Sequence, residues 1–394
     1  MGKLPKGWNE RRFGDITINF DGKRIPVNSG DRTDKQGIYP YYGASGIIDY
    51  VEDFIFDGEY LLVSEDGANL LARTYPIAFI AYGKFWVNNH AHIVQARIES
   101  TQNKFLEYFF ASFNVSEFVT GSAQPKLNQK NLNSIQIPLP PLPEQTRIVS
   151  KLDALFARID KSIALLEENI KHTKGLMASV LEEVFHSSVK QISLSEIIVK
   201  TANINPLLEP ETKFTYIDIT SVNSQLHQIE NPKIIQGKDA PSRAKKSVIV
   251  GDIVFATTRP NLKNIAIVNE DYPNPVASTG FCVLRTKKGI NNEFLFLCLL
   301  SNNIQEQINP FIRGAQYPAI SDKDLLKCKI PDLSIVQQIE TANKIMMLRK
   351  KLSLINATQQ SKLTSLKALK SSLLDRAFKG ELTKSELPTR RDKL

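Results

Sequence analysis

Two stretches of this 394-residue chain place reactive side chains at spacings that chemistry can use. In "NNHAH", His90 and His92 would share one face of a strand, where alternate residues point the same way, and two imidazoles on one face could ligate a metal. In "DGEYLLVSEDG", Asp57, Glu59, Glu65 and Asp66 make a carboxylate group of the sort that holds a divalent ion for hydrolysis. Both readings meet a plainer one. No cysteine lies near the histidines and no neighbouring lysine completes the acidic set, while Gly58 and Gly67 mark turns. The expectation is therefore structural or solvent-facing histidines and turn or cap roles for the acids. The chain also contains no GxxxxGK[ST] loop, no HExxH, no N-P-P-aromatic stretch, and no GxGxxG between a strand and a helix. It reads as non-catalytic, with no cofactor and no metal.

Composition narrows the class further. An apolar fraction of 42% suits two or three globular domains, and 50 basic against 41 acidic residues, net +9, favours a polyanionic partner without requiring one. Cys282, Cys298 and Cys328 form no CxxC element, so a reducing cytoplasm is expected. No apolar run has the length of a membrane span, and the first twenty residues lack the apolar core of a signal peptide.

The elements that would position any site come in two copies. Sliding the sequence by 193 places Gly121 on Gly314, Pro125 on Pro318, Leu127 on Ile320, Leu132 on Leu325, Ile137 on Ile330 and Gln145 on Gln338. Upstream of each match lies a β-rich segment with one amphipathic helix: "NKFLEYFFASF" in the first copy, "NNEFLFLCLLSNNIQEQI" in the second. Downstream lies a long helix. Ile148, Leu152, Leu155, Ile159, Ile163, Leu166, Ile170, Met177, Val180 and Val184 follow coiled-coil spacing, with Thr173 at one seam position. In the second copy the seam predicted is Ile345, Leu348, Leu352, Ile355, Leu366, Leu369 and Leu373, ending at Gly380. Pro138, Pro140, Pro141 and Pro143 predict an extended, stiff exit from the first domain into its helix.

These readings give an α+β chain with an internal pseudo-two-fold repeat: two α/β domains separated by two long antiparallel helices that form a coiled coil. The partition is a first domain at 1–137, a central helical spacer at 138–189, a second domain at 190–330, a distal helical spacer at 331–380 and a tail at 381–394. Residues 144–185 carry six basic and seven acidic side chains, whereas 342–380 carry nine basic ones against Asp375 alone, so pairing of the unlike helices is electrostatically preferred. Two domains related by a two-fold axis suit duplex DNA, which has two-fold axes of its own.

The ordered set "YYGASGIIDYV", "GEYLLVSEDGANL", "KFWVNNHAHIV" and "IPLPPLPEQTRIVSKLDALFARIDKSIALLEENIKHTKGLMASVLEEVF", with its weaker second copy, resembles the DNA-specificity (S) subunit of type I restriction–modification systems. The resemblance covers almost the whole chain. It implies two target recognition domains, each reading one half of a bipartite site in double-stranded DNA. It also implies helical regions that set the spacing and recruit two methyltransferase (M) subunits, with restriction (R) subunits joining a larger complex. The polar middle of the second helix departs from the pattern. An interaction scaffold whose coiled coil only tethers two ligand-binding domains is the competing reading, and an enzyme with an unrecognised site is a third.

Residues alike in both copies cannot by themselves discriminate different half-sites. The loops "GSAQPKLN" and "RGAQYPAIS", with Lys126, Arg313, Gln316 and Tyr317, are therefore candidates for phosphate positioning, or else a shared structural loop. Base readers are sought where the copies diverge: Lys84 and the "YPYYGAS" turn with Tyr41 and Tyr42 in the first domain, and Arg243, Lys245, Lys246, Arg259, Asn261 and Lys263 in the second. Core packing is the alternative for the tyrosines, and a solvated charge run is the alternative for "RAKK".

Overall fold

The computed structural model describes residues 4–121, 123–185 and 190–382. Residues 186–189 and most of the predicted tail, 383–394, lie outside the described residues. The chain forms two compact units, Met1–Leu166 with Ser361–Leu394, and Glu167–Gln360, so that each unit includes part of both long helices.

The first unit contains strands β1 (Asn9–Arg12), β2 (Thr17–Asn19), β3 (Gln36–Gly43), β4 (Gly46–Val51), β5 (Phe56–Ser64), β6 (Ala78–Val87), β7 (Ala91–Ala96) and β8 (Gln136–Leu139). Its helices are α1 (Phe13–Ile16), α2 (Ser29–Thr33), α3 (Asn69–Ala72), α4 (Asn103–Ser112), α5 (Gln129–Ser134) and the start of α6 (Leu142–Phe185). Strand β1 pairs with β8, and the other six form one sheet in the order β2-β7-β5-β6-β3-β4. The sheet must curl. Phe56 pairs with Phe85 at one end of β5 and Ser64 with Ala91 at the other. The connection from Phe85 to Ala91 reaches at most about 21 Å, shorter than the roughly 26 Å that a straight β5 would span. Gly58 and Gly83, paired across this ribbon at φ 134° and 71°, supply conformations that other residues adopt only with strain.

The second unit contains β9 (Gln191–Ser193), β10 (Ile198–Val199), β11 (Lys213–Ile217), β12 (Val222–Asn223), β13 (Gln228–Ile229), β14 (Lys233–Gln236), β15 (Ala244–Ser247), β16 (Ile253–Ala256), β17 (Ile265–Ile267), β18 (Pro275–Ser278), β19 (Phe281–Thr286) and β20 (Lys329–Pro331). Its helices are α7 (Leu194–Ile197), α8 (Asn292–Leu300), α9 (Asn302–Ile308), α10 (Asp322–Leu326) and the start of α11 (Ile335–Phe378). The order β10-β19-β16-β17 repeats β2-β7-β5-β6, and the β9–β20 ladder repeats β1–β8. Where the first unit adds β3 and β4 to its sheet, the second builds a separate sheet, β14-β11-β18-β15, and a β12–β13 hairpin. The copies thus share a frame and diverge mainly in residues 20–55 and 200–250, with β18 at 275–278 joining the second unit's separate sheet.

The helix predicted over 291–308 is two helices. Ser301 stops α8 and caps α9 by accepting the Ile304 amide, and all residues from Phe294 to Leu300 are buried, so α8 is a core helix and not an amphipathic one. The proline run also differs from an extended spacer. Pro138 lies within β8 opposite Glu10, and Pro143 sits in the first turn of α6, where a missing N–H costs nothing. The exit is stiffened instead by Gln145, which is wholly buried. Its amide donates to Ser100 O and Pro140 O, both at 2.9 Å, and its oxygen accepts the Thr101 hydroxyl at 2.8 Å. Gln338 does the same work in the second unit, donating to Leu333 O and accepting the Asn291 amide at 2.9 Å.

In the first unit α6 and α11 run antiparallel: Asp160 accepts Lys370 Nζ at 2.8 Å, while earlier on α6 Lys151 donates to Leu382 O beyond the end of α11. Leu152, Phe156 and Ile159 share a core with Leu373, Leu374 and Ala377. In the second unit Leu181 and Phe185 share a core with Ala342 and Ile345. The predicted α6 seam is buried or half-buried throughout. On α11 the seam shifts: Ile355 and Leu369 are exposed, while Asn356, Gln359 and Leu363 are half-buried. Asn356 Oδ1 and Gln359 Oε1 are buried without a hydrogen-bond partner. Polar seam residues lower stability but restrict register, which fits a helix that must pair in one alignment. Gly380 adopts φ 69°, as expected of a helix stop.

Candidate nucleic-acid interface

One backbone arrangement carries the candidate loops in both units. Leu127 N donates to Glu65 O at 2.7 Å and Ile320 N to Thr257 O at 3.0 Å; Gly67 N donates to Pro125 O at 3.0 Å and Arg259 N to Pro318 O at 2.6 Å. Thr120 bridges Lys126 as Arg313 bridges Ala319. Each loop turns at a glycine, Gly121 at φ 85° and Gly314 at φ 90°, where an added Cβ would lie 2.6 Å from Gln124 O and 2.8 Å from Tyr317 O respectively. "GSAQPKLN" and "RGAQYPAIS" are therefore the same structural loop, docked on the end of β5 in one unit and of β16 in the other.

What fixes that loop differs between the units. In the first, Asp21, Glu65 and His92 place ligand atoms within 4.8 Å of one another, a spacing that could hold a metal. Cations of the protein already fill it: Arg24 Nη1 lies 2.6 Å from Glu65 Oε2 and Lys126 Nζ 3.1 Å from Glu65 Oε1. The lysine missing near the acidic stretch thus arrives from Lys126, distant in sequence, and it balances charge. Asp21 accepts the Ile93 amide and, at 2.6 Å, His92 Nδ1, while His92 Nε2 donates to Leu127 O at 2.7 Å. Burial raises the Asp21 pKa, but the His92 hydrogen bond and charge outweigh it and hold the carboxyl below its ordinary value. Glu65 is likewise lowered, with burial opposed chiefly by Arg24 and by the charge of His92. With every carboxylate direction so engaged, the cluster is an ion network that pins the 120–127 loop. His90 is exposed and pairs with Asp66 at 2.8 Å. In the second unit, Thr257 and Cys282 take the strand positions of Glu65 and His92, and Ala319 the loop position of Lys126. No ion network holds the loop there among the described residues; backbone bonds, the buried Ile320 and the contact between Tyr317 and Arg259 do.

Several candidates gather in the second unit. Arg243 O accepts Thr279 N beside Gly280, whose carbonyl accepts Thr257 N; Thr258 and Arg313 both bridge Ala319. This chain of contacts places Arg243, Arg259, Arg313, Gln316 and Tyr317, all exposed, on neighbouring backbone segments. Asn261 and Lys245 are exposed nearby in sequence. Lys126 is half-exposed, and Lys84 lies on β6 with Nζ 4.5 Å from the Phe54 ring centroid, apart from the loop contacts.

Four candidates are engaged within the protein. Tyr41 is fully buried, its hydroxyl accepting the Val27 amide, so its ring cannot stack on a base. Tyr42 is half-buried against Phe79 and Phe85, an aromatic core contact. Lys246 is half-buried and paired with Asp322 at 2.6 Å, which spends its charge at the start of α10. Lys263, in left-handed conformation, donates to Leu300 O at 2.8 Å and so caps the negative end of α8. Arg73 does the same for α4, donating to Phe110 O at 2.7 Å from φ 55°. Sequence reasoning missed that pair, because the loops leading to the two caps differ in length.

The three cysteines are free and buried; burial pushes the Cys282 thiol up to about 12 and Cys328 to about 11, which makes them inert at neutral pH. Among the described residues no helix is long and apolar enough to cross a membrane.

Comparison with known proteins agrees with this anatomy. Residues 5–171 and 186–365 match the profile of the type I restriction modification DNA specificity domain, once for each copy. A Haemophilus influenzae specificity subunit, S.HindORF215P, is 42% identical over 143 residues, 36% of either chain. The EcoDI specificity subunit of Escherichia coli is 22% identical across 97% of this chain and 90% of its own, and the MjaVIII subunit of Methanocaldococcus jannaschii 26% across 87% and 86%. The fold matches a solved type I R-M system chain with TM-score 0.71 at 20% identity, covering 97% of this chain and 100% of the other. It also matches the HsdS subunit of Thermoanaerobacter tengcongensis with TM-score 0.56 at 20% identity, over 97% and 99%.

Proposed function

Because the chain belongs to the family of type I restriction modification DNA specificity subunits, we propose that it reads a bipartite target, one half-site by each unit, and brings methyltransferase and restriction subunits to it without catalysing a reaction itself. The observation that carries this reading is the repeated frame. Two copies present equivalent loops, 120–127 and 313–320, whose backbone geometry is shared and whose side chains differ. Shared geometry lets each unit meet DNA in the same way, and differing side chains let the two half-sites differ.

Spacing is assigned to the two 44-residue helices, each about 66 Å long at 1.5 Å per residue. The same helices are assigned the methyltransferase contacts. On the half of α11 within the second unit, Val336, Ile339, Met347 and Leu354 are exposed on the side away from the seam, beside Lys350 and Lys351. Exposed apolar rows of this kind mark protein interaction surfaces.

The test is selection by the purified chain from duplexes that carry two randomised half-sites and gaps of varied length. The expected outcome is one split motif with a fixed gap. Enrichment of no motif would favour a tethering scaffold without sequence reading.

A further inference from the structure

Arg259 occupies a place where the first unit has a glycine. The matching bonds from Gly67 N to Pro125 O and from Arg259 N to Pro318 O make the two residues equivalent, and both have positive φ, 103° and 50°. The frame therefore asks for a left-handed residue here, which glycine supplies freely and arginine does not. Arg259 also precedes Pro260, and a residue before proline is driven toward extended backbone, yet it sits at φ 50° and ψ 55°. A strained residue of this kind persists where its side chain is used.

The side chain is set up for use. Its guanidinium lies 5.3 Å from the Tyr317 ring centroid and makes no hydrogen bond or ion pair to any described residue. Tyr317 is itself 63% exposed and takes the loop position of Gln124 in the first unit. Two departures of the second copy from the first, arginine for Gly67 and tyrosine for Gln124, thus meet each other. Stacking on an aromatic face fixes the plane of the guanidinium and leaves its N–H edge free.

We infer that Arg259, held by Tyr317, reads a guanine in the half-site met by the second unit, and that the first unit, with Gly67 and Gln124 at these places, reads no base from this position. This rests on the DNA-reading function proposed above. A planar fork of parallel N–H groups matches guanine O6 and N7 in the major groove, which no other base presents together. A phosphate contact would need neither the fixed plane nor the strained backbone.

The same duplex selection tests it with the full chain. Arg259→Gly and Arg259→Ala should each lose discrimination at a single G·C pair of one half-site by about 5- to 150-fold, the range for one bidentate contact, while the rest of the motif persists. Arg259→Gly should melt at or above the wild-type temperature, since it restores the residue that the frame accommodates without strain. Tyr317→Ala should relax the same pair in part, and Tyr317→Phe should keep it. The inference is overturned if the Arg259 variants leave that half-site unchanged, relax an A·T pair, or weaken all sequences equally with a reduced salt dependence, as loss of a phosphate contact would. Relaxation by Arg259→Ala but not by Tyr317→Ala overturns the positioning role of the tyrosine. A wild-type chain that selects no motif overturns the DNA-reading function itself, an outcome distinct from all of these.

Discussion

Removal of one heptad from each long helix shifts the preferred gap between the half-sites by about three base pairs and leaves both half-site sequences unchanged. Seven residues of helix are about 10 Å at 1.5 Å each, close to three steps of duplex at 3.4 Å. The deletion must be a heptad because the seam repeats every seven residues, so Leu152, Ile159 and their successors keep their partners. It must be made in both helices, or the two seams lose alignment. Selection from duplexes with gaps of every length reads the result directly. An unchanged gap would remove the helices from the account of spacing.

Truncation of Gln145 to alanine costs the first unit about 2–4 kcal/mol. The side chain is wholly buried, and its loss leaves the Thr101 hydroxyl and the Ser100 and Pro140 carbonyls without their partner. Each buried group left unsatisfied costs about 1–3 kcal/mol, reduced by whatever water reaches the space. Urea unfolding would measure the loss. A cost below about 0.5 kcal/mol, the usual scale of a surface change, would mean that the domain is joined to α6 by other means. The functional sign of the same change is a broader range of accepted gaps, since a loosened joint lets the domain tilt on its helix.

The repeat was legible in the sequence because its markers answer to backbone and burial. Gly121 and Gly314 sit at positive φ, Leu127 and Ile320 are buried, and Gln145 falls on Gln338 with the same role. The coiled-coil seam of α6 was legible for the same reason, since a period of 3.5 is a property of the string. The polar seam of α11 was not, because Asn356 and Gln359 take core-facing positions that hydrophobic spacing assigns to neighbours. The ion network was hidden for a different reason. Asp21 and Arg24, Glu65, His92 and Lys126 come from four separate segments, and only the curled sheet and its docked loop assemble them. Among candidate contacts, sequence divergence directed attention to the second unit's loops but could not separate Lys263, spent on a helix end, from Arg259, exposed and set against the Tyr317 ring. That separation needs the backbone equivalence with Gly67.

The most direct measurement of the central claim, that each unit reads its own half-site, is the methylation pattern of a host whose chain has residues 190–330 replaced by the same segment of another family member. One half of the methylated motif should be exchanged, with the other half kept. Exchange of both halves, or of neither, would contradict the assignment of one half-site to each unit.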